Sequence, residues 1–175
     1  MLANAITISR IVLAFLLLPL APLQPAFLLV YLLGGLSDMA DGYVARKTHT
    51  VSILGSKLDS IADFILIVVL LYVLYPILQP SKEILLWIAA IAFIRLSAIT
   101  TVCIRYGYFA SLHTYANKAT GLALFLFPFS LMVTSSAIPL VLVLVLATCS
   151  ASEELIINIT SKKLNLETKG FFDNL

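Results

Sequence analysis

Residues 11–37 read IVLAFLLLPLAPLQPAFLLVYLLGGLS and contain no Asp, Glu, Lys or Arg. The run is longer than the roughly 20 apolar residues that one transmembrane helix requires. Three prolines lie near its middle, and proline removes a backbone donor and clashes with the preceding helical turn. We therefore interpret the run as a hairpin, with a first helix that begins near Ala5 and a second helix over about 26–46.

Two other runs without formal charge cover residues 64–81 and 119–152. The longer one again exceeds a single span, and Ser135, Ser136 and Pro139 divide it. The predicted fold class is therefore all-α, an integral membrane bundle of six transmembrane helices. With the apolar residues that flank these runs, the four later helices are predicted over about 53–81, 84–105, 119–134 and 138–158.

The composition is that of a membrane protein. Hydrophobic residues make up 61% of the chain and charged residues 11%, against roughly 45–50% and about 25% in average usage. Such a chain is neither disordered nor a binder of nucleic acid through a basic face. Its two cysteines, Cys103 and Cys149, fall in apolar segments, which excludes a disulfide scaffold. The N-terminal helix resembles a cleavable signal peptide, but the similar character of all later segments favours a helix that is retained.

The basic residues indicate the orientation of the bundle. With a hairpin in 11–37, nine of the 11 Lys and Arg fall on the side that holds both termini, Lys82 falls on the other side, and Arg95 lies inside a span. Because cytoplasmic loops are enriched in Lys and Arg, we expect cytoplasmic N- and C-termini in the cell membrane. The membrane domain is predicted over residues 1–160 and a short cytoplasmic tail over 161–175. The nine residues are Arg10, Arg46, Lys47, Lys57, Arg105, Lys118, Lys162, Lys163 and Lys169.

Four of the nine acidic residues are concentrated at the predicted cytoplasmic ends of helices 2 and 3. Asp38 and Asp41 are spaced i,i+3 and share one helix face, and Asp59 and Asp63, spaced i,i+4, share another. The short loop between the helices makes them neighbours, so that the two faces can meet. Four converging carboxylates repel one another unless a hard divalent cation compensates them, and their oxygens suit Mg²⁺ or Mn²⁺. The alternative is that these acids are solvated helix ends at the membrane interface.

Small residues and an arginine accompany the acids. Gly42 follows Asp41 directly, and Ala45 lies three residues further along the same helix. The absence of a bulky side chain lets a ligand approach the backbone, although glycine in membrane helices also serves close helix packing. Arg46 offers a planar fork that suits phosphate. The cluster therefore indicates a phosphorylated ligand beside the acids.

The whole window reads Asp38-Met-Ala-Asp41-Gly42-Tyr-Val-Ala45-Arg46, then eight residues, Gly55, three residues, Asp59, three residues and Asp63. It resembles the signature of the CDP-alcohol phosphotransferase family, D-x2-D-G-x2-A-R-x8-G-x3-D-x3-D, with all eight positions filled. The match covers 26 residues. The six-helix pattern is similar to the membrane domain of that family, so the resemblance extends over most of the chain.

The resemblance implies a reaction and a set of ligands. CDP-diacylglycerol and a small polar alcohol would be the substrates, and one or two Mg²⁺ or Mn²⁺ ions would be the cofactor. Asp63 would be the general base that takes the proton of the acceptor hydroxyl, whose oxygen displaces CMP from the phosphorus attached to the lipid. The metal ligands that the resemblance implies are Asp38, Asp41, Asp59 and Asp63.

The resemblance also implies the nucleotide site. Gly42, Ala45 and Gly55 would shape the pocket, and Arg46 would contact the diphosphate. The opening Asn4-x2-Thr7-x2-Arg10 is similar to one that precedes helix 1 in many members, which implies that Asn4 and Thr7 touch the CDP moiety. Taken alone, these two residues fit an interfacial helix cap equally well.

Basic residues of helices 4 and 5 are expected to bind the acceptor. Arg95 lies inside a span, where a charge is costly, so it either faces a polar cavity or forms a structural ion pair with one of the Asp residues. Arg105 and Lys118 flank a polar loop, where they either hold an acceptor phosphate or anchor the cytoplasmic face. His113, in the same loop, is more typical of a surface residue than of a catalyst.

The identity of the acceptor is left open by the sequence. The small size, the N-terminal opening and an arginine in helix 4 resemble phosphatidylglycerophosphate synthases, which implies glycerol 3-phosphate. Those enzymes usually have Arg-Glu in helix 4, whereas this chain has Arg95-Leu96, so inositol, inositol phosphate and serine are alternatives. Glu153 and Glu154 either bind a hydroxyl-rich or cationic group or are interfacial charges. The family also implies a homodimer in the lipid bilayer.

Two other classes of protein compete with a transferase. Carboxylates inside a membrane also mark cation transporters, but the sequence shows neither the internal repeat nor the second acidic cluster expected of one. A membrane scaffold, in which polar residues only join helices, leaves the filled signature unexplained.

Overall fold

The computed structural model describes residues 2–47, 53–107, 112, 114–134, 136–161 and 170. Within these ranges it describes every side chain except those of residues 2–6, 38–47, 53, 54, 56, 57, 59 and 60. Over this part of the chain the backbone forms six α-helices and no strand, which confirms the all-α prediction. The helices are α1 Leu2–Leu16, α2 Pro25–Lys47, α3 Ile53–Leu78, α4 Lys82–Tyr106, α5 Tyr115–Val133 and α6 Ile138–Thr160.

The helix ends show how local sequence sets the boundaries. Ser81 caps α4, because its side chain accepts a hydrogen bond from the Ile84 N–H at 3.4 Å. At the other end of α4, Gly107 has a φ of 71° and its N–H bonds to the Cys103 carbonyl, a left-handed position that glycine adopts without strain. Pro139 lies in the first turn of α6, where the N–H it lacks has no intrahelical partner in any case.

Four of these helices are long and apolar enough to cross a membrane, through Ile61–Leu78, Lys82–Tyr106, Tyr115–Val133 and Ile138–Thr160. The other two contain shorter apolar stretches, Thr7–Leu16 and Pro25–Ser37. Large apolar side chains lie on outer faces, as Phe93 and Val133 do at 72% and 88% exposure. Such faces are favourable against lipid rather than water. The chain is therefore an integral membrane protein.

Residues 1–79 form one compact unit, in which α1 packs against both α2 and α3. Among its described side chains, α1 buries Thr7, Arg10 and Ala14, and their spacing of three or four residues places them on one helix face. Leu17, which directly follows the helix, is buried as well. The apolar core also includes Phe27, Tyr31, Ala62, Val69, Val73 and Leu74. Arg10 thus lies in the middle of a face that is otherwise small or apolar.

Residues 80–175 form the second unit, in which α6 packs against α4 and α5. Polar bonds join the helices: the Trp87 indole donates to the Thr148 hydroxyl at 2.9 Å, and the Asn158 side-chain amide donates to the Ala98 carbonyl at 3.2 Å. The predicted division into a membrane domain over 1–160 and a tail over 161–175 stays a prediction, because most of the tail lies outside the described residues.

Candidate functional site

An ion pair joins α1 to α3 inside the first unit. Arg10 Nη1 donates to Asp63 Oδ1 at 3.0 Å. The two partners differ in exposure, since the Arg10 side chain is 1% exposed and the Asp63 side chain 54% exposed. Asp63, the predicted general base, is therefore held from within the unit by a buried cation, while its carboxylate is accessible from outside.

The structure supports the helical spacing on which the predicted acidic cluster depends. Asp38 and Asp41 lie on α2, and Asp59 and Asp63 lie on α3, so each pair shares a helix face through the i,i+3 and i,i+4 repeats. The side chains of Asp38, Asp41 and Asp59 lie outside the described residues. Whether the two pairs face each other therefore stays a prediction.

The donor chemistry of these positions fits a hard divalent cation. Four carboxylates supply only oxygen donors, the type that Mg²⁺ and Mn²⁺ take from proteins. Among the side chains that the structure does describe, no three His, Cys, Asp or Glu residues form a cluster. Asp63 is the one member of the predicted set whose side chain belongs to that part.

The predicted nucleotide residues fall mostly on α1 and α2. Thr7 is buried, at 4% exposure, one turn before Arg10 on the same face of α1. Gly55 lies half-buried in the first turn of α3. The remaining four positions belong to helices, but their side chains lie outside the described residues, and they are Asn4, Gly42, Ala45 and Arg46.

A second polar cluster joins the three helices of residues 80–175. Arg95 on α4 donates through Nη1 to Glu154 Oε2 at 3.0 Å, and through Nη2 to the side-chain oxygens of Asn117 and Ser150, each at 2.9 Å. Asn117 donates to Glu154 Oε2 at 3.1 Å and to the Leu112 carbonyl at 2.6 Å. Ser150 donates to the Asn117 side-chain oxygen. The cluster therefore compensates the charge of Arg95 within its own unit.

Glu154 is the buried anion of this cluster. Its side chain is 2% exposed, against 32% for Arg95. Besides the bonds to Oε2, the Leu112 N–H donates to Oε1 at 3.0 Å. The interpretation of Glu154 as an interfacial charge is wrong, because the carboxylate is enclosed by donors. Of the two alternatives for Arg95, an ion pair is present, but its partner is Glu154 and not an Asp.

The C-terminal end of α6 is capped by two side chains from α4, Arg105 and Tyr106. Arg105 Nη1 donates to the Asn158 carbonyl at 2.8 Å and also to the Ile159 carbonyl, and the Tyr106 hydroxyl donates to the Ser161 carbonyl at 2.6 Å. Carbonyls in the last turn of a helix have no intrahelical donor and carry partial negative charge, which a cation satisfies. The structure thus gives Arg105 a capping contact; its binding of an acceptor stays a prediction.

Two predicted residues of the acceptor loop remain, Lys118 and His113. Lys118 is exposed on the first turn of α5, with its ammonium 5.6 Å from the centre of the Tyr115 ring. A lysine so placed can reach an anion without losing a buried contact. His113 lies outside the described residues. Sequence reasoning gave no role to Asn117 or Ser150, and the polar character of the segment around Asn117 was its only signal.

The described residues thus belong to an all-helical membrane protein whose sequence carries an acidic signature on two consecutive helices. Residues 1–159 match the model of the CDP-alcohol phosphatidyltransferase family. The chain belongs to that family, which confirms the resemblance.

One curated relative is similar over a shorter stretch. A CDP-diacylglycerol–serine O-phosphatidyltransferase of Methanocaldococcus jannaschii is 54% identical over 46 residues, which are 26% of this chain and 22% of the relative. The chain thus matches about a fifth of the length of that relative. No solved structure matches the chain significantly.

Proposed function

We propose that this protein transfers the phosphatidyl group of CDP-diacylglycerol to the hydroxyl of a small polar alcohol and releases CMP, in phospholipid biosynthesis. The observation that carries the proposal is the complete acidic signature on α2 and α3, whose last member, Asp63, is held by a buried arginine yet 54% exposed. An exposed carboxylate that is held by a hydrogen bond from a buried residue suits a general base, which must come within hydrogen-bond distance of a substrate hydroxyl. Membership in the family supports the same reaction.

The proposed reaction forms one P–O bond and breaks another. Asp63 accepts the proton of the acceptor hydroxyl, and the acceptor oxygen attacks the phosphorus that is bonded to diacylglycerol. The bond from this phosphorus to the oxygen shared with the second phosphate breaks, CMP leaves with that oxygen, and a phosphodiester lipid forms. Arg46 would hold the diphosphate through its planar fork, and Asn4, Thr7, Gly42, Ala45 and Gly55 would bound the nucleotide pocket.

We further propose that one or two Mg²⁺ or Mn²⁺ ions bind to Asp38, Asp41, Asp59 and Asp63. A bound divalent cation would neutralise the diphosphate and stabilise the CMP leaving group. The support is the set of donor atoms, since four carboxylates on two consecutive helices repel one another unless cations compensate them.

Removal of divalent cations is expected to abolish CMP release. The protein would be treated with EDTA, dialysed, and assayed before and after addition of Mg²⁺ or Mn²⁺. Restoration by either cation is the expected result, and it should fail in an Asp41→Asn variant that keeps its fold. Undiminished turnover in the chelated protein would contradict the metal proposal while leaving the transferase proposal standing.

The proposed topology has six membrane spans with both termini and the active site on the cytoplasmic side of the cell membrane. The bias of nine basic residues to one side supports this, together with six helices in the described residues. The α1 helix has only 15 residues, about 22 Å at 1.5 Å per residue. It would need the apolar turn residues that follow it to complete a span. A homodimer in the bilayer is also proposed, on family membership.

Glycerol 3-phosphate is the acceptor that we propose first. Arg95, Arg105 and Lys118 would supply cationic groups for its phosphate. Lys118 is exposed, whereas Arg95 is bonded to Glu154 and Arg105 to the Asn158 carbonyl. Serine is the second candidate, because a curated relative that is 54% identical over 46 residues bears the name of a serine O-phosphatidyltransferase.

A panel of acceptors separates these candidates. Detergent-solubilised protein would be incubated with CDP-diacylglycerol, Mg²⁺ and one of glycerol 3-phosphate, serine, inositol or inositol phosphate, and the lipid product identified by mass. We expect phosphatidylglycerophosphate as the main product. Phosphatidylserine would instead establish the second candidate, and no lipid product with any acceptor, beside an active control enzyme, would refute the transferase proposal.

A further inference from the structure

Arg10 is a charged residue enclosed within the first unit. It is the ninth residue of α1, on the same face as Thr7 and Ala14, and only 1% of its surface is exposed. A charge enclosed in a membrane protein is costly, so it is retained only where it makes specific contacts. One such contact, within the described residues, is with Asp63, 53 residues away in the chain.

Burial fixes the position of the Arg10 guanidinium, and the hydrogen bond from it then sets the orientation of the Asp63 carboxylate. Arg10 comes from a helix that packs against α3 directly, and its side chain is enclosed on all sides. Asp63 has a short side chain whose rotation about two bonds determines where its oxygens point. A 3.0 Å bond from a fixed donor to Oδ1 selects one of these orientations. The 54% exposure of the Asp63 side chain shows that this orientation leaves the carboxylate accessible.

We infer that Arg10, which lies outside the eight-residue signature, is a positioning residue that holds the Asp63 carboxylate in the orientation from which it removes the acceptor proton. The inference rests on the proposed transferase function. It assigns to Arg10 neither a contact with the nucleotide nor a purely architectural role. These two alternatives predict different measurements.

The three roles separate in the kinetics. A positioning residue affects kcat, because loss of its contact misplaces a reacting group; partners that orient a functional side chain typically contribute about 10–100-fold. A residue that bound the diphosphate would raise KM for CDP-diacylglycerol instead. A purely architectural residue would lower the melting temperature and leave kcat per folded molecule unchanged.

The test compares Arg10→Gln and Arg10→Lys with wild type. Arg10→Gln removes the positive charge and the planar guanidinium group, whereas Arg10→Lys keeps a cation of different geometry. We expect kcat to fall about 100-fold in Arg10→Gln and about 10-fold in Arg10→Lys. KM for CDP-diacylglycerol should stay within about threefold, and the melting temperature of Arg10→Lys within about 4 °C. Lys82→Gln, which removes an exposed cation at the start of α4, is the matched control and should behave as wild type.

Three results would overturn the inference. One is wild-type kcat in the folded Arg10→Gln protein, another is a rise in KM with kcat unchanged, and the third is loss of the folded protein in both variants. Failure of the proposed function itself is distinguishable, since wild type and Lys82→Gln would then release no CMP with any acceptor. The variants are interpreted only against an active wild type measured in parallel.

Discussion

Asp63→Asn is expected to lower the rate of CMP release by about 10²–10⁴-fold, the contribution that a positioned general base typically makes. The amide cannot take a proton from the acceptor hydroxyl. It can still accept the hydrogen bond that Arg10 donates to Oδ1 at 3.0 Å, because an Asn side chain presents one carbonyl oxygen. The variant should therefore keep its fold and largely keep its affinity for CDP-diacylglycerol.

Two measurements check this expectation together. Turnover is followed as CMP released per folded molecule, and binding of CDP-diacylglycerol is measured without acceptor. Asp63→Ala serves as the comparison, since it loses the bond to Arg10 as well as the base and should be less stable to heat than Asp63→Asn. Wild-type turnover in Asp63→Asn would remove Asp63 as the base, whatever its role in binding.

Glu154→Leu is expected to destabilise the helices of residues 80–175. It takes away the carboxylate that receives bonds from Arg95, Asn117 and the Leu112 N–H. Removing one partner of a buried ion pair costs about 3–5 kcal/mol, and the lower end applies because the Arg95 side chain is 32% exposed. The melting temperature of the purified protein in detergent measures the effect.

A double variant makes that prediction specific. Replacing both charges, in Arg95→Met with Glu154→Leu, leaves no uncompensated cation and should recover part of the lost stability. Glu83→Gln removes an exposed acid that is bonded to Ser81 in the first turn of α4 and should lower the melting temperature by no more than about 4 °C. A double variant less stable than Glu154→Leu alone would show that the ion pair is not the source of the loss.

Helix number and most helix ends were predictable because they depend on local sequence. The run over 11–37 does contain two helices separated by a turn, and α2 begins at Pro25, a residue tolerated in the first turn but not further in. The apolar pattern predicts that α5 starts at residue 119, whereas the helix begins four residues earlier, at Tyr115. The Thr114 hydroxyl accepts a hydrogen bond from the Asn117 N–H at 3.2 Å, and this cap begins the helix within a segment too polar to read as membrane-spanning.

Contacts between distant residues were not predictable. The sequence showed that Arg95 needs compensation, but not that Glu154, 59 residues away, supplies it. Arg10 belongs to the N-terminal opening that resembles the family and to the basic residues of the cytoplasmic side, but neither pattern predicts that it is buried against Asp63. In both cases the spacing of residues along one helix does not identify the partner of the arginine. The partner lies on another helix, and its position depends on how the helices pack. By contrast, the acidic signature lies within two consecutive helices, so its fixed spacings are visible in the sequence itself.

The central claim is that this membrane protein uses CDP-diacylglycerol as a phosphatidyl donor through Asp63. The most direct test is CMP release by purified wild type in detergent with CDP-diacylglycerol, Mg²⁺ and the acceptor panel, beside Asp63→Asn. We predict acceptor-dependent CMP release by wild type and almost none by the variant. Absence of CMP release by wild type with every acceptor, or equal release by the two proteins, would contradict the claim.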